Sequence, residues 1–126
     1  MKFMFTIYHD ENVLDAMPDK EMQALVDSAI EYAEELRKSG HFIASDALQR
    51  TGTARTIRVR AGKVSTAVGP FIETKEQLGG FFLIEAKDMD EACAVAARFP
   101  PARVAVLEVR PVQELTHSQD RRGLPN

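Results

Sequence analysis

Lys2–His9, with the sequence KFMFTIYH, is the stretch that decides the fold. Successive side chains of a β-strand point to opposite faces of a sheet. Here both faces receive apolar groups, with Phe3, Phe5 and Ile7 on one and Met4 and Tyr8 on the other. A strand that is apolar on both faces predicts a central position in the sheet.

Five further strands are predicted outward from this one. The segments 80–86 and 103–109 are also apolar on both faces, which indicates strands whose two faces are both packed against other parts of the protein. The segments 41–48, 54–60 and 63–68 have strand composition, and Ala61-Gly62 predicts a tight turn between the last two.

Two helices are predicted between the strands. From Pro18 to Ser39, apolar residues recur at steps of three and four, and Gly40 suits a left-handed C-cap. A second helix begins after Asp88, where Glu91 completes a pattern that resembles a capping box, and ends before Pro100-Pro101.

The element order β-α-β-β-(β)-β-α-β predicts an α+β fold. It is typical of a ferredoxin-like antiparallel sheet with two helices on one face and an inserted β-hairpin. The second face stays apolar and uncovered, so we expect a homodimer that buries it. Residues 1–112 form one domain on this prediction, and residues 113–126 form a C-terminal tail or an arm across the partner.

Composition excludes several classes of protein. A chain of 126 residues with 44% hydrophobic and 28% charged residues fits one globular domain. The net charge of −3 lacks the basic footprint of a nucleic-acid-binding protein. No signal segment or membrane span is predicted, so we expect a cytoplasmic protein without a membrane partner. Cys93, the single cysteine, is predicted to be a buried, inert thiol on a helix.

The run from Gly69 to Phe81, with the sequence GPFIETKEQLGGF, carries a specific resemblance. It is similar to the signature of the DGPF branch of the YCII-related proteins, and the likeness extends over nearly the whole chain. The resemblance implies a dimeric α/β-barrel type of assembly. It also implies a link to an extracytoplasmic-function sigma factor, as for some members of that family, or relatedness to enzymes that act on small aromatic substrates such as chlorinated hydroquinones.

Two departures from the family pattern limit what carries over. Val68 stands where the signature has its aspartate, and a valine can neither ionise nor accept a hydrogen bond. Some YCII-related proteins use a His-Asp pair with the histidine early in the first helix, but no histidine occurs here between His9 and His41. That dyad is therefore not expected in this chain.

Polar residues near strand ends and in the glycine-rich connector are the candidates for a site. His9, Asp10 and Glu73 are candidates for catalysis, because an imidazole beside carboxylates can act as a general base near neutral pH. The ligand-binding candidates are Tyr8, Asp46, Arg58, Phe71, Lys75, Gly79 and Gly80. The alternatives are an ordinary strand-end histidine at position 9 and, for the connector 73–76, a solvated loop or a dimer contact.

No metal site and no cofactor are predicted. The three histidines are separated and lack metal-ligand spacing, and the glycines do not lie between a strand and a helix as a phosphate cradle requires. Two functions from different classes fit the sequence. One is a small-molecule-binding or regulatory homodimer, and the alternative is a small-molecule enzyme, lyase- or dehydrochlorinase-like, that acts on a small aromatic or polar metabolite.

Overall fold

A computed structural model describes residues 1–119 of the chain. In chain order its elements are β1 (Lys2–His9), α1 (Glu11–Asp15), α2 (Asp19–Ser39), β2 (Phe42–Ala47), β3 (Arg55–Arg60), β4 (Lys63–Val68), β5 (Gln77–Glu85), α3 (Met89–Ala97) and β6 (Val106–Pro111). Short 3₁₀ turns at Thr51–Thr53 and Pro100–Val104 precede β3 and β6.

The main sheet has four antiparallel strands in the order β2-β5-β1-β6. β1 pairs with β5 on one side and with β6 on the other, so the predicted central position of this strand is confirmed. This strand order, with α2 and α3 as the two long connections, is the ferredoxin-like α+β arrangement that the sequence predicts.

Aromatic side chains fill the core between the helices and one face of the sheet. The rings of Phe5 and Phe82 stack at 4.8 Å, and Phe99 packs against Phe82 at 5.2 Å. Tyr32 of α2 lies beside them and donates a hydrogen bond of 2.5 Å to the carbonyl oxygen of Val95 in α3. This bond joins the two helices over the sheet.

The predicted helix ends are largely confirmed. Gly40 adopts φ +83°, the left-handed conformation that glycine reaches without strain, and closes α2. The Asp88 side chain accepts a hydrogen bond of 2.9 Å from the Glu91 backbone N–H at the start of α3. The short helix α1 was not predicted, although Asp10 caps it by accepting from Asn12 N–H at 2.9 Å.

The prediction for Cys93 in α3 is wrong, whereas the predicted hairpin is present. Cys93 is exposed rather than buried, because the inward stripe of α3 passes through Ala92, Val95 and Ala96. The hairpin β3-β4 forms its own two-stranded sheet. Within it Arg58 pairs with Ser65.

The second face of the main sheet carries no helix within residues 1–119. We call this surface the open face. Its uncharged side chains in the pairing register include Met4, Thr6, Tyr8, Leu78, Phe81, Leu83 and Val106, and the charged residues Asp46, Glu108 and Arg110 lie on the same face. Met4, Thr6, Tyr8, Phe81 and Leu83 are half-buried, whereas Leu78 and Val106 are 42% and 52% exposed. The polar stretch 113–119 has neither helix nor strand, and the remainder of the predicted tail lies outside the described residues.

Candidate functional site

A groove of about 430 Å³ lies between α2 and the helix-covered face of the sheet, on the side of β2. Its walls are mainly apolar and come from α2, β1, β2 and β5, with the segment 99–105 closing one end. The apolar lining includes Ile7, Leu14, Met22, Leu25, Val26, Ala29, Ile30, Phe42, Leu48, Phe82 and Val104. A volume of this size is in the range of pockets that hold small molecules.

His9 is the imidazole of this groove. It follows Ile7 by two residues on β1, so its side chain shares the helix-covered face with Ile7, which is buried. The ring lies directly over Gly79. A Cβ placed on that glycine would overlap the ring atoms Cε1 and Nε2 and would lie 2.9 Å from Nδ1. Only glycine leaves space for His9 in this orientation.

A β-bulge at Gly79 makes that space. Ile7 pairs with Gly80, but the next residue, Tyr8, pairs with Leu78, so Gly79 is the extra residue in β5. Without the bulge, Leu78 would share the groove side with Gly80, two residues away. The bulge turns Leu78 to the open face instead.

The surroundings of His9 favour the neutral imidazole. Burial lowers the pKa of His9 below its ordinary value of 6.5, and the positive charge of Arg50 lowers it further, while Glu11 opposes them. Arg50 is held by a salt bridge from Nε to Asp15 Oδ1 at 3.0 Å. At neutral pH the ring therefore offers one nitrogen that can accept a proton or a hydrogen bond.

Glu11 is fixed in place by the loop that follows β2. Its carboxylate accepts hydrogen bonds of 2.9 Å from both the backbone N–H and the hydroxyl of Thr51. These contacts connect α1 to the loop that carries Arg50. The carboxylate of Glu11 and the guanidinium of Arg50, the two charges near His9, are therefore both held in place. The arrangement is built by α1, the helix that the sequence did not predict.

Gly80 and Asp46 lie at the same groove through their backbones. A Cβ on Gly80 would lie 2.9 Å from the carbonyl oxygen of Asp46, so β2 approaches β5 more closely here than a side chain allows. The Asp46 side chain is exposed and opposite Phe81, on the open side of the sheet. Ser45, which pairs with Phe82, is the β2 residue that faces the groove.

The connector residues form a second, polar cavity of about 270 Å³. It brings together three predicted site residues, Asp10, Glu73 and Lys75, with Glu11, Asn12, Thr51, Thr74 and Gln77. Two of its carboxylates are already engaged within the chain, since Asp10 caps α1 and Glu11 binds Thr51. The predicted polar cleft is thus divided, with His9 in the apolar groove and Glu73 and Lys75 outside it.

Three predicted residues lie in neither cavity. Tyr8 points to the open face, as its alternation with His9 requires. Arg58 and Phe71 contact each other, with the guanidinium carbon 5.1 Å from the ring centroid, and both are exposed near the hairpin. In return, the groove contains Arg37, Ser45 and Arg50, which were not among the predicted site residues.

The position of Arg50 could not be read from the sequence. It follows β2 in an irregular segment, where neither periodicity nor a motif indicates which way a side chain points. The position of Ser45 could have been predicted, because alternation along the strand places it on the opposite face from Asp46.

Within residues 1–119, no set of three or more His, Cys, Asp or Glu side chains is arranged to hold a metal ion. None of the helices in that range has the length and apolar content to cross a bilayer.

Comparisons with known proteins agree with the resemblance seen in the sequence. Residues 1–116 match the YCII-related domain. An uncharacterized protein of Rhizobium meliloti (strain 1021) is 32% identical over 114 residues, which cover 89% of this chain and 92% of that protein. A solved structure of 5-chloro-2-hydroxyhydroquinone dehydrochlorinase from Burkholderia phenoliruptrix AC1100, in complex with 2,5-dihydroxybenzoquinone, aligns with a TM-score of 0.48 and 14% identity, over 95% of this chain and 99% of that chain.

Proposed function

This chain belongs to the YCII-related domain family, and we propose that it is a homodimer that binds a small aromatic or polar metabolite in the groove beside α2. The groove itself is the observation that carries the proposal. It combines a volume of about 430 Å³ and apolar walls with a few polar groups, with His9 and Arg50 at one end and Arg37 beside Phe42 at the other. This combination is typical of small-molecule sites, where apolar walls supply affinity and a few polar groups fix orientation.

The polar end of the groove indicates the chemistry of the ligand. The neutral imidazole of His9 can accept a hydrogen bond from a hydroxyl group, and Arg50 supplies a positive charge beside it. An aromatic ring between Ile7, Phe82 and the apolar side chains of α2 would place a phenolic hydroxyl at this end. A phenol or hydroquinone therefore fits the groove better than a strongly charged phosphate ester.

The homodimer is supported by the open face. Met4, Phe81 and Leu83 form an apolar strip along its middle, and Leu78 and Val106 extend it. Full burial of such side chains contributes about 1.5–3 kcal/mol each. A second copy related by a twofold axis would cover the strip with the same surface.

We place the chain in the DGPF branch of the family because of the run from Gly69 to Phe81.

The second candidate function is a small-molecule enzyme, lyase- or dehydrochlorinase-like, with His9 as general base. The observation that favours it is the lowered pKa of His9, which keeps the base unprotonated near neutral pH. In a dehydrochlorination, the imidazole would take a proton from the substrate while chloride leaves with the electrons of its bond to carbon, so that HCl is lost overall. The regulatory link to an extracytoplasmic-function sigma factor stays a prediction from the family resemblance.

A binding experiment tests the groove directly. A set of phenols and hydroquinones, with and without a chlorine substituent, is titrated against the protein while the imidazole and methyl NMR signals are recorded. We expect shifts in His9, Ile7 and Ile30, and a weakening of binding of about tenfold in His9→Gln. His41→Gln is the matched control, because His41 lies at the opposite end of β2, next to Ser39 and Glu91.

The outcomes separate the two candidates. Saturable shifts of groove residues without loss of chloride support binding alone, and chloride release that disappears in His9→Gln supports the enzyme. If no compound shifts a groove residue, or if His41→Gln weakens binding as much as His9→Gln, the groove is not the site.

A further inference from the structure

The groove beside α2 has a second polar end, formed by Arg37. After Ala33, Arg37 is the next residue of α2 in the groove lining, and it ends the apolar stripe. Its guanidinium carbon lies 4.3 Å from the centroid of the Phe42 ring, which packs edge-on against Phe82 in the groove wall. The cation therefore belongs to the groove wall.

An apolar stretch of about 13–16 Å separates this end from His9. Phe42 pairs with Ile84 at one end, and the His9 ring lies over Gly79, next to Gly80, at the other. The four steps from Gly80 to Ile84, at about 3.3 Å each, span about 13 Å. The apolar lining of α2 rises about 16 Å from its first to its last member. Its members are Met22, Leu25, Val26, Ala29, Ile30 and Ala33.

Arg37 retains hydrogen-bond donors for a ligand. A guanidinium has five N–H donors, and Nη1 of Arg37 forms an ion pair with Glu34. Within residues 1–119, Glu34 is the one acceptor that this side chain binds. The Arg37 side chain is 50% exposed, so a ligand in the groove can reach it. The remaining donors match a carboxylate, which a guanidinium binds through two parallel hydrogen bonds.

We propose that the ligand of the groove is an elongated aromatic acid, with a hydroxyl group at His9 and a carboxylate at Arg37. The inference rests on the proposed function and names the class of ligand. A single aromatic ring is too short to contact both ends. Two para-linked rings with these groups measure about 10 Å, and a hydrogen bond of about 2.9 Å at each end extends the reach to about 16 Å.

The charges at the two ends determine the orientation of such an acid. At the His9 end, Arg50 binds Asp15 at 3.0 Å and the Glu11 carboxylate also lies near the imidazole. An anion there would meet two carboxylates, whereas at Arg37 it would meet Glu34 alone. The carboxylate of the ligand is therefore placed at Arg37.

Two ligands of nearly equal shape test the anion end. 4′-Hydroxybiphenyl-4-carboxylate carries the charge, and 4′-hydroxybiphenyl-4-carboxamide lacks it. Each is titrated against the full chain by calorimetry near neutral pH. We expect the carboxylate to bind about tenfold more tightly than the amide. Arg37→Gln should abolish this preference while it leaves the affinity for the amide within about threefold, which also shows that the variant is folded.

Two variants of α2 serve as comparisons. Lys38→Gln is the matched control, because it removes the same charge from the next residue, outside the groove lining, and it should keep the preference. Glu34→Gln removes the carboxylate that competes for Arg37. We expect it to strengthen binding of the carboxylate ligand about two- to fivefold and to leave the amide unchanged. A purely structural role of Arg37 would instead affect both ligands alike.

The ring signals of Phe42 report how far the ligand reaches. In NMR titrations, phenol should shift the signals of His9 and Ile7 but not those of the Phe42 ring, because one ring does not span the groove. The two-ring acid should shift all three.

Each result decides a different claim. If neither phenol nor the two-ring ligands shift a groove residue, the groove function and the acid class are both overturned. If the ligands bind in the groove with equal affinity, or if Lys38→Gln abolishes the preference as Arg37→Gln does, the acid class alone is overturned. Loss of the preference in Arg50→Gln but not in Arg37→Gln would place the anion at the His9 end and would overturn the inference while groove binding stands.

Discussion

Replacement of Gly79 by alanine should move His9 out of the groove while the fold remains. The added Cβ would overlap Cε1 and Nε2 of the His9 ring. The ring can rotate about its side-chain bonds, so relief requires a different rotamer rather than a shift of the sheet. We therefore expect a cost in the free energy of unfolding near the lower end of the usual range for overpacking, about 1 kcal/mol.

The displaced ring should titrate differently. Burial is the main cause that lowers the pKa of His9, followed by the charge of Arg50. Once the ring is in solvent both effects weaken, and the pKa should rise toward its ordinary value of 6.5. An NMR titration of the imidazole signals measures this shift, and urea unfolding measures the loss of stability.

Two other glycines serve as comparisons. In Gly80→Ala the new Cβ would meet the Asp46 carbonyl oxygen at 2.9 Å, and backbone cannot rotate away, so the cost should be larger, about 2–3 kcal/mol. In Gly52→Ala the Cβ meets no atom within 4 Å, so stability should change by at most about 1 kcal/mol. An unchanged pKa of His9 in Gly79→Ala, or a larger loss of stability in Gly79→Ala than in Gly80→Ala, would show that the ring does not lie over Gly79 as described.

Three further predictions concern stability. The stability of the fold should fall as pH drops below about 6.5, because the unfolded chain binds a proton at His9 before the folded chain does, and His9→Gln should flatten this dependence. Tyr32→Phe should cost about 1 kcal/mol in chemical unfolding through loss of the hydrogen bond to Val95, and an equal stability would show that bond to be unimportant. Asp88→Ala removes the cap of α3 and should lower stability by about 1 kcal/mol, more than Asp90→Ala in the same helical turn.

The main sheet could be predicted because its pattern is local. The alternation in Lys2–His9 and the spacing of three and four in α2 each report on burial within one element, and the order of elements leaves few ferredoxin-like arrangements. The apolar stripe of α2 is wider than the surface that the core covers. Val26 and Ile30 continue the periodicity of α2 but lie at the mouth of the groove, partly exposed.

The hairpin and α3 show where local pattern is insufficient. Arg55–Arg60 and Lys63–Val68 were recognised as strands, but nothing in their composition says that they leave the main sheet. Cys93 was assigned to the core because it is apolar and flanked by alanines, yet a helix of nine residues buries only one narrow stripe, which Ala92 and Val95 occupy. Small residues all round a helix do not identify its inward face.

The sequence identified several residues of the candidate site but not how they are arranged in space. His9, Gly79 and Gly80 do meet at one groove, whereas Glu73 and Lys75 lie in a separate polar cavity. Tyr8 was grouped with its neighbour His9 although consecutive strand residues face opposite sides. The bulge that brings His9 over Gly79 depends on the pairing of two strands that are far apart in sequence, with Ile7 opposite Gly80 and Tyr8 opposite Leu78, which no single segment encodes.

The extra residue in β5 changes the face to which its side chains point at one end of the groove, beside His9. The stack of Phe5 on Phe82 lies beyond that point in the strand, although Phe82 also lines the groove. Related chains could therefore change the space beside His9 at position 79, where a side chain would displace the ring at a cost of about 1 kcal/mol. Position 80 offers less freedom, because its Cβ would meet the Asp46 carbonyl oxygen at 2.9 Å.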